Sequence, residues 1–104
     1  MERLSDVCRK LGVSRRVLQE LDKLNIARHS DETEGGYWLY SEEDIRKVAI
    51  AILFSEAGYK RGEIKIIMGL SYQKQKILRK KMVRDLEKKQ RWIEWLKSLS
   101  KVEE

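Results

Sequence analysis

Between Tyr72 and Ser100 the chain contains neither glycine nor proline and is dominated by Lys, Arg, Gln, Glu and Leu, residues that lose little side-chain freedom in a helix. One helix over this stretch is roughly 43 Å long at 1.5 Å per residue. Its apolar residues Leu78, Met82, Leu86, Ile93, Leu96 and Leu99 recur mostly at threes and fours, with Lys89 at one position of the same seam. The remaining chain is too small to cover a seam of that length, so pairing with a second helix is the natural solution. The expectation is a homodimer held by the tail, with Trp92 and Trp95 packed in the seam or flanking a hydrophobic effector.

A chain of 104 residues with one Cys and no Pro reads as one small soluble protein rather than a multidomain enzyme. Cys8 has no disulfide partner, and neither it nor the single His29 belongs to a pair with zinc-ligand spacing, so no metal and no cofactor is implied. The longest uninterrupted apolar run, Val48 to Phe54, is far short of the ~20 residues that span a bilayer. The opening MERLSDVCRKL carries charges where an export signal needs an apolar stretch. A cytoplasmic protein with no membrane association is expected.

The formal net charge of +6 is unevenly placed. Residues 1–40 and 41–71 are each neutral, whereas residues 72–104 hold eleven Lys and Arg against five Asp and Glu, the whole excess. Nine of those cations lie between Lys74 and Arg91. The stripe reads either as a surface for phosphates or an acidic partner, or as a solvated helix face. Basicity alone does not mark the front of the chain as a nucleic-acid surface.

The front is patterned differently. Ser5 is positioned to cap a short helix through Leu11 that places Leu4, Val7, Cys8 and Leu11 on one face, and Gly12 ends it. Ser14 then caps a second helix from Arg15 to about Leu24, with Val17, Leu18, Leu21 and Leu24 inward. Two amphipathic helices around a Gly-Val-Ser turn form a helix-turn-helix. Ile26 to His29 and Tyr37 to Tyr40 read as two short strands around a polar Gly-containing loop, a β-hairpin wing. Ser41 followed by Glu42, Glu43 and Asp44 is a helix start. The helix it opens buries Ile45, Val48, Ala49, Ile52 and Leu53 and stops near Gly58, and a shorter one runs from about Arg61 to Met68.

These pieces, in this order, resemble the DNA-binding half of the MerR family of bacterial transcription regulators. LSDVCRKLGVSRRVLQELDKLNIA is similar to the family's leading helix-turn-helix, EGGYWLYSEEDIRKV to its wing and third helix, and EAGYKRGEIKIIM to its fourth. The resemblance implies a mainly α fold, a winged helix-turn-helix over residues 1–70 followed by an antiparallel dimerisation helix over 71–104. It also implies a dimer on a pseudo-palindromic promoter operator, which it distorts so that RNA polymerase can engage. Two departures stand out. The family usually has Arg followed by two aromatics where this chain has Gln19, Glu20 and Leu21, and Arg where it has Trp38. Both family arginines contact phosphates, so their loss together with the Glu20 carboxylate lowers the expected affinity for DNA. The wing tip, with Asp31, Glu32 and Glu34, is acidic as well.

The candidate contacts to double-stranded DNA are Ser14, Arg15, Arg16, Gln19, Arg28, His29, Tyr37, Trp38, Lys60 and Arg61. Arg15 and Arg16 occupy the first turn of the recognition helix, where a guanidinium reads guanine or holds a phosphate. Arg28 and His29 stand at the wing base as phosphate contacts or exposed strand ends. Tyr37 is expected to pack inward, leaving Trp38 on the other face for the backbone or a partner. Lys60 and Arg61 start a helix whose free N–H groups favour an anion. Enzymatic chemistry finds no support: the chain has no phosphate loop and no Ser/His/Asp set. The rival reading is a protein-interaction adaptor on the same scaffold, using Trp38 and the basic tail.

Overall fold

The computed structural model describes residues 1–103. Glu2–Arg3 (β1) leads directly into Leu4–Leu11 (α1), and Arg15–Lys23 (α2) follows after a three-residue turn. Gly12 makes that turn with a φ of 66°, a left-handed conformation that side chains with a Cβ disfavour. Ser14 caps α2 by accepting the Val17 N–H at 3.4 Å. Asp31–Glu32 (β2) and Trp38–Tyr40 (β3) complete an antiparallel sheet in the order β1-β3-β2, with Arg3 and Asp31 both opposite Leu39. The last three helices are Glu42–Glu56 (α3), Arg61–Met68 (α4) and Tyr72–Glu103 (α5).

One core joins all of these layers. Val7, Leu18, Leu21, Tyr40, Val48, Phe54 and Ile64 are fully buried, and Met82 of α5 is 1% exposed in the same cluster. Full burial of a methionine side chain is worth about 1.5–3 kcal/mol, so Met82 anchors the long helix to the front of the protein. Leu78 and Leu86, one helical turn to either side, pack partly against the same core. Lys89 explains itself here. Its ammonium reaches the Glu56 backbone carbonyl at 3.3 Å, where the C-terminus of α3 presents acceptors the helix cannot use internally. Beyond it α5 leaves the body of the protein, and every residue from Glu87 to Ser100 is exposed. The radius of gyration, 16.3 Å, accordingly exceeds the about 13 Å of a globular chain this long.

The tail seam therefore divides. Leu78, Met82 and Leu86 face the protein's own core, while Ile93, Leu96 and Leu99 remain exposed together with Trp92 and Trp95.

Several local expectations are corrected. Ser5 does not cap α1, which starts two residues earlier than that cap requires, with Arg3 at the N-cap and no side-chain cap bond. The cause is β1, whose pairing with β3 holds Arg3 extended up to the helix start. Residues 26–29 are not a strand. Asn25 turns the chain at φ 59°, and the Ile26 and Ala27 N–H groups both return to the Leu21 carbonyl, so these two apolar residues plug the end of α2. Tyr37 and Trp38 exchange roles: β3 begins at Trp38, which turns inward with Tyr40, while Tyr37 is 60% exposed. On α3 the fully buried residues are Val48, Ala51 and Phe54, whereas Leu53 is 41% exposed. That helix touches the sheet, α4 and α5, and its apolar residues are spread too widely around the axis for period alone to choose the inward stripe.

Asp44 fastens the start of α3. Its carboxylate accepts the Ser41 N–H at 2.9 Å and the Ser30 hydroxyl, while Ser41 accepts the Asp44 N–H at 3.1 Å. Burial by itself raises its pKa. The hydrogen bonds from Ser30 and Ser41 and the charge of Lys47 outweigh that effect and hold Asp44 below the usual carboxylate range. A carboxyl with a depressed folded pKa stabilises the fold above its unfolded pKa, about 3.9, and that contribution disappears as pH falls through the folded value. Asp44→Asn should therefore lower stability at pH 7 and flatten its decline below about pH 4, measured by urea unfolding across pH. An acid profile identical to that of the unsubstituted protein would contradict the assignment.

Candidate nucleic-acid interface

The helix-turn-helix packs its apolar stripe inward and directs the first turn of α2 outward. Ser14, Arg15, Arg16 and Gln19 are all exposed, and neither arginine has an ion-pair partner among the described residues. These four are brought together as the sequence pattern implies. Lys60 is also exposed, as the N-cap of α4, where its N–H donates to the Glu63 carboxylate at 3.0 Å.

The other candidate cations are paired with the protein's own carboxylates. Arg61 donates from Nε to Glu20 at 2.7 Å and from Nη1 to the Ser55 hydroxyl at 3.0 Å, bridging α4, α2 and α3. Glu20, the carboxylate that departs from the family pattern, is thus neutralised by a cation that would otherwise be available to a phosphate. The pair was invisible in the chain because its members are 41 residues apart. Arg28 lies 3.5 Å from Asp22 with its side chain largely in solvent.

His29 is not a strand end. Its side chain is 11% exposed, its Nδ1 is 2.5 Å from Asp22 and its Nε2 is 3.1 Å from Glu32. The imidazole stacks on Trp38 with centroids 4.2 Å apart and planes inclined by 8°. Asp22, 6% exposed, also accepts the His29 backbone N–H at 3.0 Å. One buried carboxylate at the end of α2 therefore holds both the backbone and the ring of the residue that enters the wing. Trp38 is half-buried, with one face of its ring taken by this stack.

Between the start of α1, the outer face of α2 and the wing lies a cleft of about 300 Å³, lined by Arg3, Ser5, Arg15, Gln19, Tyr37 and Trp38 among others. The Arg3 guanidinium sits 4.9 Å from the centre of the Tyr37 ring. Arg3 was not singled out from the sequence, since a two-residue strand has no detectable period. Among the described residues no three His, Cys, Asp or Glu side chains converge in an arrangement suited to a metal ion, and no helix is long and apolar enough to cross a membrane.

Replacing His29 by Ala should cost about 1–3 kcal/mol in chemical denaturation, because it strips Asp22 of its ring partner and Trp38 of its stacking face. A loss under about 0.5 kcal/mol, the level of an ordinary surface substitution, would show that the network does not hold the wing.

Comparison with known proteins places this geometry. The chain is 31% identical over 83 residues to the HTH-type transcriptional activator mta of Bacillus subtilis (strain 168), a match covering 71% of this chain and 32% of that protein, so the chain spans about a third of its relative's length. Among solved structures, the N-terminus of the Bacillus subtilis multidrug transporter activator, MtaN, superposes with a TM-score of 0.70 at 27% identity, covering 98% of this chain and 97% of that one. HiNmlR, a MerR family regulator lacking the sensor domain and solved bound to promoter DNA, shares the fold with a TM-score of 0.70 at 14% identity over 93% and 78% of the two chains. The family model for MerR HTH regulatory proteins matches residues 3–70, from the first strand through the end of α4, and the chain belongs to that family.

Proposed function

We propose that this protein is a MerR-type transcription regulator that binds double-stranded promoter DNA as a homodimer in the cytoplasm, with RNA polymerase as its functional partner. The observation that carries the reading is the first turn of α2: a Ser14-capped helix with Arg15 and Arg16 in solvent and free of carboxylates among the described residues. In this reading α2 enters the major groove and its arginines meet base edges and flanking phosphates. Lys60 and the start of α4 meet the backbone. Arg61, His29 and Trp38 act indirectly, by holding α2, α4 and the wing in one orientation. Family membership and the MtaN likeness support the reading, as does the activator to which the chain is similar.

The dimer rests on residues 72–100. Trp92, Trp95 and Leu96 are each about 60% exposed on the stretch of α5 past Lys89, where every residue through Ser100 is exposed, and apolar surface of that extent favours a partner helix. An antiparallel copy sets the basic Lys74–Arg91 stretch beside the less basic end of its neighbour.

Selection of bound sequences from random duplex DNA should return a pseudo-palindromic site. Replacing Arg16 with Ala should cost about 1–3 kcal/mol there and relax the preference at one position if Arg16 reads a base. A protein with no sequence preference at about 150 mM salt, where screening acts over about 8 Å, would refute the regulator and favour the adaptor. In sedimentation at about 20 μM, a concentration at which a specific dimer is populated, the intact chain should run as a dimer and Ile93→Glu/Leu96→Glu as a monomer. A monomeric unsubstituted chain would overturn the assembly.

A further inference from the structure

The cleft between α1, α2 and the wing has a composition unlike the surface around it. Two guanidinium groups, Arg3 and Arg15, the Ser5 hydroxyl and the Gln19 amide line it beside the Tyr37 ring, and no carboxylate does. The acidic residues nearest in the chain have partners of their own, Glu2 on Lys10 at 2.9 Å and Asp6 on Arg9 at 3.4 Å. The α1 start at its rim lacks a side-chain cap.

Arg3 is the organised member of this set. Its backbone is fixed opposite Leu39 in the sheet, and its guanidinium rests 4.9 Å from the Tyr37 ring centre. Tyr37 is itself held through its backbone N–H to the Thr33 hydroxyl at 3.1 Å. A guanidinium held over an aromatic face by its charge keeps N–H donors for a further acceptor, and a tetrahedral oxyanion matches their fork. The donors and the charge select an anion with several acceptor oxygens. The position, beside the first turn of α2, selects one carried on the molecule that α2 contacts.

We propose that this cleft is a phosphodiester-binding site for the DNA backbone, with the guanidinium of Arg3, held over the Tyr37 ring, and that of Arg15 as its two cationic donors. The proposal rests on the DNA-binding reading above and adds to it a contact made by the first strand. Arg3 is a phosphate ligand that sets the depth to which α2 enters the groove, and it carries no base information.

The test uses the intact chain and the operator recovered by selection, with affinity followed by fluorescence anisotropy from about 50 to about 250 mM KCl, where phosphate contacts dominate the salt dependence. Arg3→Ala should weaken binding and make the slope of log K against log salt shallower by about one unit, with the ranking of operator variants unchanged. Arg3→Lys should recover the slope but not the full affinity, because an ammonium lacks the planar fork of donors. Should Arg3→Ala not fold, Arg3→Gln, which keeps a long stem in the strand and removes the charge, supports the same reading. An unchanged slope in a variant whose parent binds the operator would overturn the site and leave the regulator standing. An altered ranking would also overturn it, by making Arg3 a base reader. Inorganic phosphate at matched ionic strength should not compete; competition that disappears in Arg3→Ala would assign the cleft to free phosphate instead. A parent chain that binds no duplex would refute this proposal and the regulator together.

Discussion

The orientation of the wing depends on two buried carboxylates. Asp22 at the end of α2 takes the backbone and ring of His29, and Asp44 in the first turn of α3 takes the Ser30 hydroxyl and the Ser41 N–H. The segment between α2 and β2 has almost no ladder of its own: its one backbone bond to the sheet runs from the Ser30 N–H to the Leu39 carbonyl. Two adjacent residues are therefore held from opposite sides, one by α2 and one by α3. A buried carboxylate that lost these partners would carry the full cost of desolvation, which makes this arrangement strongly preferred over any in which the wing swings free. Trp38 closes the network by covering the imidazole that Asp22 has positioned.

The same logic sorts the cations. In a protein with 23 Lys and Arg, position on a predicted interface says little about availability, because each cation folds next to whatever carboxylate the tertiary structure supplies. Arg61 became a bolt between α4 and α2 through Glu20 and Ser55. Arg15 and Arg16 stayed in solvent, with no ion-pair partner among the described residues. Glu20, which in the isolated sequence counted against a DNA surface, spends its charge within the fold. Of the departures from the family pattern, Glu20 thus has a role inside the fold, as the partner that fixes Arg61 between α4 and α2.

The long helix serves two masters along its length. From Leu78 to Leu86 it is a layer of the folded body, with Met82 as the buried anchor and Lys89 finishing the contact on the carbonyl end of α3. Past that point it carries Trp92, Ile93, Trp95, Leu96 and Leu99 into solvent. One continuous helix is a rigid connection, so whatever engages the distal half is mechanically coupled to α3, and through Asp44 to the base of the wing.

Much of the architecture was legible in the chain, because it depends on local physics. The Gly12 turn, the Ser14 cap, the Ser41–Asp44 start, the α4 boundaries and the unbroken run of α5 all follow from backbone preferences and capping chemistry that act within about four residues. The exposed arginines at the start of α2 were legible for the same reason: an amphipathic helix with its stripe inward leaves those positions outside. The tertiary structure alone decided what depends on distant partners. The two-residue β1 exists only because Leu39 and Tyr40 lie beside it, and it moved the α1 start and placed Arg3 over Tyr37. Tyr37 and Trp38 took the faces opposite to those expected, since period-two alternation fixes their relation but not its phase. The pairing of Arg61 with Glu20, the enclosure of His29 and the division of the α5 seam each join groups far apart in sequence, and the energy that selects them, burial and desolvation, exists only once the layers have closed.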